Sequence, residues 1–276
     1  MRCAILQLCS GPDVRKNLHN VVDGMRMAQQ QGAHVVALPE NVMAMHPDGP
    51  QAVVEQAQWF LQQLHIAAAQ TELWLIAGTL PWPTRPDGVS VPGGRVRAAC
   101  FVVDAAGKIV GRYDKIHMFD VALNDFTGIY RESERIEPGT EVCVITTPWG
   151  ILGLSVCYDL RFPELYIRLV QEGAEWITIP SAFTRLTGAA HWNTLVRARA
   201  IETQSIVIAA NQAGSPYAGR ETWGHSLAVS PWGEIWLDLG DGESSSGYQL
   251  ATVELDFGQV QICRQKMPIA AQRRLL

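Results

Sequence analysis

Apolar runs and amphipathic stretches take turns along the first eighty residues. Residues 2–9 (Arg2-Cys3-Ala4-Ile5-Leu6-Gln7-Leu8-Cys9) predict a first strand. Pro12-Asp13 opens a helix in which Leu18, Val21, Val22, Met25 and Ala28 keep helical spacing, with Gly32 where a C-terminal cap belongs. His34–Leu38 is a continuous apolar strand that stops at Pro39-Glu40. A second amphipathic helix is predicted over 51–70, with Val54, Ala57, Leu61, Leu64 and Ala68 on one stripe, and Trp74–Thr79 is the next strand.

Beyond residue 95 the pattern changes to hairpins. Val96–Val103 and Lys108–Tyr113 flank the turn Asp104-Ala105-Ala106-Gly107. Pro148-Trp149-Gly150 separates Val142–Thr146 from Ile151–Val156, and Pro231-Trp232-Gly233 separates Ser226–Val229 from Glu234–Leu237. Helices over 162–172 and 188–203 are each followed by a strand, 175–179 and 205–210. The Pro/Gly-rich stretch 81–94 and the stretch 214–221 read as exposed loops. Helix–strand units mixed with hairpins, and no linker, predict one α/β domain over 1–276. Strands apolar on both faces imply sheets covered on both sides.

Composition narrows the class. The 276 residues are 47% hydrophobic, enough for a large core, and the net charge of −5 comes with no basic run. Nucleic-acid binding therefore lacks its electrostatic footprint. No apolar stretch reaches the ~20 residues of a membrane span, and the first nine residues are too short for a signal peptide. A soluble, cytoplasmic protein is expected, with no membrane partner. The six cysteines form no CxxC pair and the seven histidines show no paired ligand spacing, so neither a disulfide framework nor a metal is expected.

Cys157 is the unusual thiol. It follows the apolar strand Ile151–Val156 and precedes Pro163, which suits the first turn of a helix. Backbone N–H groups at such a junction favour thiolate and can receive an oxyanion; a buried strand-end cysteine is the alternative. Glu40 and Lys115 each follow an apolar strand, and Glu132 lies in the charged run Arg131–Arg135. For all three a solvated loop residue is the commoner reading, and spacing does not assemble them into one site.

The motifs do. Leu38-Pro39-Glu40, Tyr113-Asp114-Lys115-Ile116-His117 and Val156-Cys157-Tyr158-Asp159-Leu160-Arg161-Phe162-Pro163-Glu164 resemble, in order, the three signature blocks of the nitrilase superfamily. Glu132-Ser133 with Pro138-Gly139 is similar to its fourth block, and the resemblance runs from residue 2 to about 274. It implies a four-layer α-β-β-α sandwich and hydrolysis of carbon–nitrogen bonds by a Glu40–Lys115–Cys157 triad, assisted by Glu132, without a cofactor. Pro180–Phe183, Thr187-Gly188, Ala190–Trp192 and Arg197–Gln204 resemble the amidase branch that includes the deaminated glutathione amidases and ω-amidases. Met118-Phe119 and the insert 122–131 depart from that pattern, and the insert is a candidate pocket wall.

What the resemblance implies for chemistry is covalent catalysis. A thioester route splits amide hydrolysis into two steps, with Cys157 as nucleophile, Glu40 as general base and Lys115 with the Tyr158 N–H at the oxyanion. Tyr158, Arg161, Phe183, Thr187 and His191 are the expected substrate contacts. Arg161 either anchors a substrate carboxylate or braces the loop through Asp159, Glu164 or Glu202. His191 either lines the pocket or packs through a hydrogen bond, and His117 reads as structural. The partner is a small-molecule amide, and a homodimer or higher oligomer is expected through the two helices carrying Leu165, Leu169, Leu195 and Val196. A catalytically silent interaction protein on the same fold is the competing class.

Overall fold

A computed structural model describes residues 1–242 and 247–274. The expected domain of 1–276 also takes in 243–246, 275 and 276, which lie outside the described residues. Strands alternate with helices early and with hairpins later, and two large sheets result. The first runs in the order Tyr248–Glu254, Arg2–Leu8, Val35–Ala37, Trp74–Ile76, Arg97–Val103, Leu80–Trp82, with Ile109–Asp114 also paired to Arg97–Val103. The second runs Ile235–Asp238, Leu227–Val229, Ile206–Ala209, Trp176–Thr178, Gly150–Leu154, Val144–Thr147. Three strands at the centre of each sheet are parallel: Arg2–Leu8, Val35–Ala37 and Trp74–Ile76 in the first, and Gly150–Leu154, Trp176–Thr178 and Ile206–Ala209 in the second.

The alternation of side chains across the strands explains the layering. Ala4, Leu6, Val36, Leu75 and Phe101 share a core with Val21, Met25, Phe60 and Leu64 of the helices Val14–Gln30 and Ala57–Thr71. Cys3, Ile5, Val35, Ala37 and Val102 point the other way, into a core shared with the second sheet. That core continues into Leu165, Leu169, Trp192 and Val196 of the helices Pro163–Gln171 and Arg185–Thr203. The order is helix, sheet, sheet, helix: the four-layer sandwich expected.

Most elements lie where the apolar pattern puts them. Asp13 caps the first helix by accepting the Arg15 and Lys16 N–H groups, and Gly32 follows its end at φ +71°. The second helix begins later than predicted: Pro50–Ala52 and Val54–Gln56 are 3₁₀ turns, broken at Val53 (φ −125°), and the α-helix starts at Ala57. The stretch 214–221 is not a loop but most of a hairpin, Ala213–Tyr217 with Arg220–Trp223. The insert forms another, Asp120–Ala122 with Ile129–Arg131. The proposed dimer face is also corrected. Leu165, Leu169 and Val196 are buried against their own sheet and Leu195 is half-buried against the same core, so the apolar stripe that suggested an interface belongs to the protomer's core. Among the described residues no helix is long and apolar enough to cross a membrane.

Candidate active site

The strands of both sheets deliver their C-terminal ends to one edge of the sandwich, where ligands of α/β sheets commonly bind. Val35–Ala37 leads to Glu40, and Gly150–Leu154 leads to Cys157. Ile109–Asp114 is antiparallel to Arg97–Val103, itself antiparallel to Trp74–Ile76. It therefore runs with the parallel strands and brings Lys115 to the same edge.

Lys115, 1% exposed, is the centre of the cluster. Its Nζ donates to Glu40 Oε1 at 2.9 Å and to both oxygens of Glu132 at 2.7 and 2.8 Å. The Phe119 N–H, at 2.6 Å, fixes Glu132 Oε2. Burial alone would lower the Lys115 pKa, but the carboxylates of Glu132 and Glu40, with Cys157, hold it well above the ordinary lysine value. Burial raises Glu132, against the pull of Lys115 and with the push of Glu40. The two carboxylates thus favour the charged ammonium, whose Nζ meets three carboxylate oxygens.

Cys157 begins the 3₁₀ turn Cys157–Arg161, and Pro163 starts the helix behind it. Its N–H donates to the Pro180 carbonyl at 2.9 Å, and its φ is +48°. A non-glycine residue at positive φ is strained and persists where its surroundings dictate it, commonly at functional sites. Asn41, directly after Glu40, is likewise left-handed at φ +56°. The thiol faces the Glu40 carboxylate and the Ala182 N–H. Burial first, and Glu40 second, raise its pKa well above the free-cysteine value despite Lys115. Burial and the Glu40 carboxylate thus work against the thiolate that the strand–helix junction favours, and the carboxylate beside the thiol is placed to take its proton.

Supports for these turns are polar and buried. Asp159, fully buried, accepts the Tyr113 hydroxyl (2.7 Å) and the Val156 N–H (2.9 Å) on Oδ2, and the His117 N–H (3.0 Å) on Oδ1. The His117 ring meets the same carboxylate at 2.7 Å and stacks on Phe162, so His117 is structural. Gly78, at φ +64°, lies so close under Pro39 that a Cβ there would overlap the Pro39 carbonyl.

A cavity of about 590 Å³ opens above the cluster and is lined by Glu40, Lys115, Glu132 and Cys157. Tyr158, Arg161, Phe183 and Thr187 are on its wall; His191 is not among the lining residues. It is exposed and meets the Arg161 guanidinium at 3.3 Å through Nδ1, which is the packing alternative. Arg161 lies over the rings of Tyr158 and Phe183, 5.6 and 5.4 Å from their centroids. Among the described residues Arg161 forms an ion pair with none of Asp159, Glu164 and Glu202; Asp159 is engaged as described and Glu202 pairs with Arg199. The insert hairpin does line the cavity, through Ile129, Tyr130 and Arg131. Arg135 and Arg220 are wall residues that sequence reasoning missed; Arg220 stacks over Tyr130 at 5.2 Å. Isolated arginines in a hairpin and a charged loop carry no sequence signal. Among the described residues no cluster of His, Cys, Asp and Glu is arranged to hold a metal.

The geometry offers a thiol beside a carboxylate, a fixed ammonium beside both, and guanidinium groups on the walls. It suits nucleophilic attack on a polarised carbonyl in a substrate carrying negative charge.

Residues 2–265 match the carbon-nitrogen hydrolase family. A protein of Yersinia enterocolitica named deaminated glutathione amidase is 37% identical over 99% of this chain and 93% of its own length. The crystal structure of the C. elegans NitFhit protein superposes with a TM-score of 0.86 at 31% identity, over 99% of this chain and 65% of that longer one. Saccharomyces cerevisiae Nit3, described as a member of branch 10 of the nitrilase superfamily, gives a TM-score of 0.82 at 27% identity, over 100% of this chain and 97% of its own.

Proposed function

The chain belongs to the carbon-nitrogen hydrolase family of the nitrilase superfamily, and from that premise we propose that this amidase works through a thioester on Cys157, with deaminated glutathione as substrate. The observation that carries the mechanism is the contact of one buried ammonium, Lys115, with both Glu40 and Glu132, beside the Cys157 thiol that the Glu40 carboxylate also meets. Relatives named deaminated glutathione amidase, and arginines on the cavity wall, support the substrate.

The steps follow from the residues. Cys157 Sγ attacks the amide carbonyl carbon while Glu40 takes the thiol proton. The oxyanion forms between the Lys115 ammonium and the Tyr158 N–H, and Glu132 holds the ammonium in place. Loss of one oxyanion donor typically costs about 2.7–4 kcal/mol of barrier. Collapse expels cysteinylglycine, whose nitrogen takes the proton from Glu40. Glu40 then deprotonates a water that attacks the thioester, releasing 2-oxoglutarate and restoring the thiol. Parallel turnover with deaminated glutathione, 2-oxoglutaramate and glutamine tests the substrate: deaminated glutathione is expected to give the highest kcat/KM, and preference for 2-oxoglutaramate moves the reading to an ω-amidase.

A homodimer in the cytoplasm completes the proposal. Ile201, Trp232 and Ile235 are apolar and exposed on the helix Arg185–Thr203 and the hairpin beside it, and supply its face. Sedimentation showing only a 30.4 kDa species at working concentration counts against it.

A further inference from the structure

The base and the nucleophile come from different sheets. The layer between the sheets is largely apolar, with Ile5, Ile76 and Val102 in one cluster with Leu152, Leu154 and Ile177. Such burial is non-directional and does not by itself set the separation of two catalytic groups.

Gln212, fully buried, spans the gap. Its backbone is tied to the second sheet's loops: the N–H donates to the Ser181 carbonyl, and the carbonyl accepts the Gly224 N–H, both at 2.9 Å. Its side chain is tied to the first sheet's. Nε2 donates to the carbonyl of Glu40 at 2.8 Å and to Ser10 Oγ at 2.9 Å, and Oε1 accepts the Ser10 N–H at 2.9 Å. The preceding residue extends the grip, since Asn211 Oδ1 accepts the Phe183 N–H at 3.1 Å. The two residues therefore bracket Ala182, whose N–H faces the Cys157 thiol.

We propose that Gln212 is a positioning residue that sets the distance between the Glu40 carboxylate and the Cys157 thiol by clamping the base's own backbone to the loop beside the nucleophile. The proposal rests on the reading of Glu40 as general base. Asp159 acts correspondingly on the lysine's side, joining the Cys157 turn to Tyr113 and His117 on either side of Lys115. A third polar link, Gln7 to Ser226 at 2.9 Å, crosses between the sheets without touching the triad.

That third link provides a matched control. Gln212→Met and Gln7→Met each remove a buried amide that crosses between the sheets, at similar volume. Both are expected to lower Tm. Gln212→Met is further expected to lower kcat by about 10²-fold, the scale of a 1 Å misplacement, and to slow iodoacetamide labelling of Cys157, which also needs the thiol proton removed, while KM and the folded fraction read by circular dichroism at 25 °C stay close to wild type. Gln7→Met is expected to keep kcat. A merely structural role for Gln212 would reduce turnover only in proportion to the folded fraction, leaving kcat per folded molecule at the wild-type value. Wild-type kcat in Gln212→Met, or equal losses in the two variants, overturns the proposal. Should Gln212→Met not fold, Gln212→Glu keeps the chain length and the acceptor for Ser10 while facing the Glu40 carbonyl with an oxygen; it is expected to lose kcat likewise, and wild-type kcat there also overturns the proposal. Glu40→Gln measured alongside separates the two ideas: if it retains kcat, the general-base reading fails, whereas a silent Glu40→Gln beside an active Gln212→Met sinks the positioning role alone.

Discussion

Lys115→Met removes the charge on which the whole cluster depends, and its cost is a matter of stability as well as rate. Methionine nearly matches the lysine stem in volume, so packing is not the source of the loss. The source is electrostatic: Glu40 and Glu132 remain at the site with no cation between them. Removing one partner of a buried ion pair costs about 3–5 kcal/mol, and at roughly 2–4 °C per kcal/mol for a chain of this size Tm falls by about 6–20 °C. The loss depends on pH. Burial already raises the Glu132 pKa and Lys115 opposes that shift, so without Lys115 the folded-state value climbs further above the unfolded one. A carboxylate raised in this way binds more protons when folded, and the stability this provides is fully present below the unfolded value near 4.3 and lost as pH rises through the folded value. The Tm deficit of Lys115→Met relative to wild type is therefore larger at pH 8 than at pH 5. Thermal melts followed by circular dichroism at the two pH values, with turnover measured on the same samples, make the comparison. Lys115→Met/Glu132→Gln should recover much of the Tm and none of the activity. A Lys115→Met variant within about 2 °C of wild type at pH 8, or a deficit that does not shrink at pH 5, refutes the electrostatic reasoning.

Other outcomes follow from single contacts. Gly78→Ala forces a Cβ against the Pro39 carbonyl at a positive φ, and is expected to cost roughly 1–3 kcal/mol in denaturant titrations, with a fall in kcat as Glu40 shifts. Arg161→Lys keeps the charge but loses the planar fork that lies over Tyr158 and Phe183; KM should rise strongly for a carboxylate-bearing amide and little for a neutral one, and equal losses count against Arg161 as the anchor. Iodoacetamide should label Cys157 at the cavity ahead of Cys3 and Cys100, whose thiols are fully buried and pushed up by burial, Cys3 to about 12; uniform slow labelling in native protein, read by mass spectrometry, favours the silent interaction protein.

The sequence made the layers legible because their periodicities are strong. The stripe Val21, Met25, Ala28 and the run Val35–Ala37 each pack as their spacing predicts. It linked Glu40, Lys115 and Cys157, which the structure brings together, only through their motifs. Lys115 and Glu40 are 75 positions apart, and each in isolation looks like a solvated strand-end charge. The insert hairpin was hidden because its two three-residue strands, Asp120–Ala122 and Ile129–Arg131, are too short for an alternation to register. Leu165, Leu169 and Val196 misled for the opposite reason. An apolar stripe on a helix has the same spacing whether it faces a partner or its own sheet, and here the sheet takes it. Gln212 gives no signal at all, since a buried glutamine is recognised only by the five polar groups around its amide and backbone.

The central claim is that the acyl group passes through Cys157, and the direct measurement is rapid-quench mass spectrometry during a single turnover of deaminated glutathione. A transient mass increase equal to one 2-oxoglutaryl group, mapped to the peptide containing Cys157 and absent in Cys157→Ala, is the predicted result. Turnover without any such adduct, an adduct on another residue, or undiminished hydrolysis by Cys157→Ala contradicts the account.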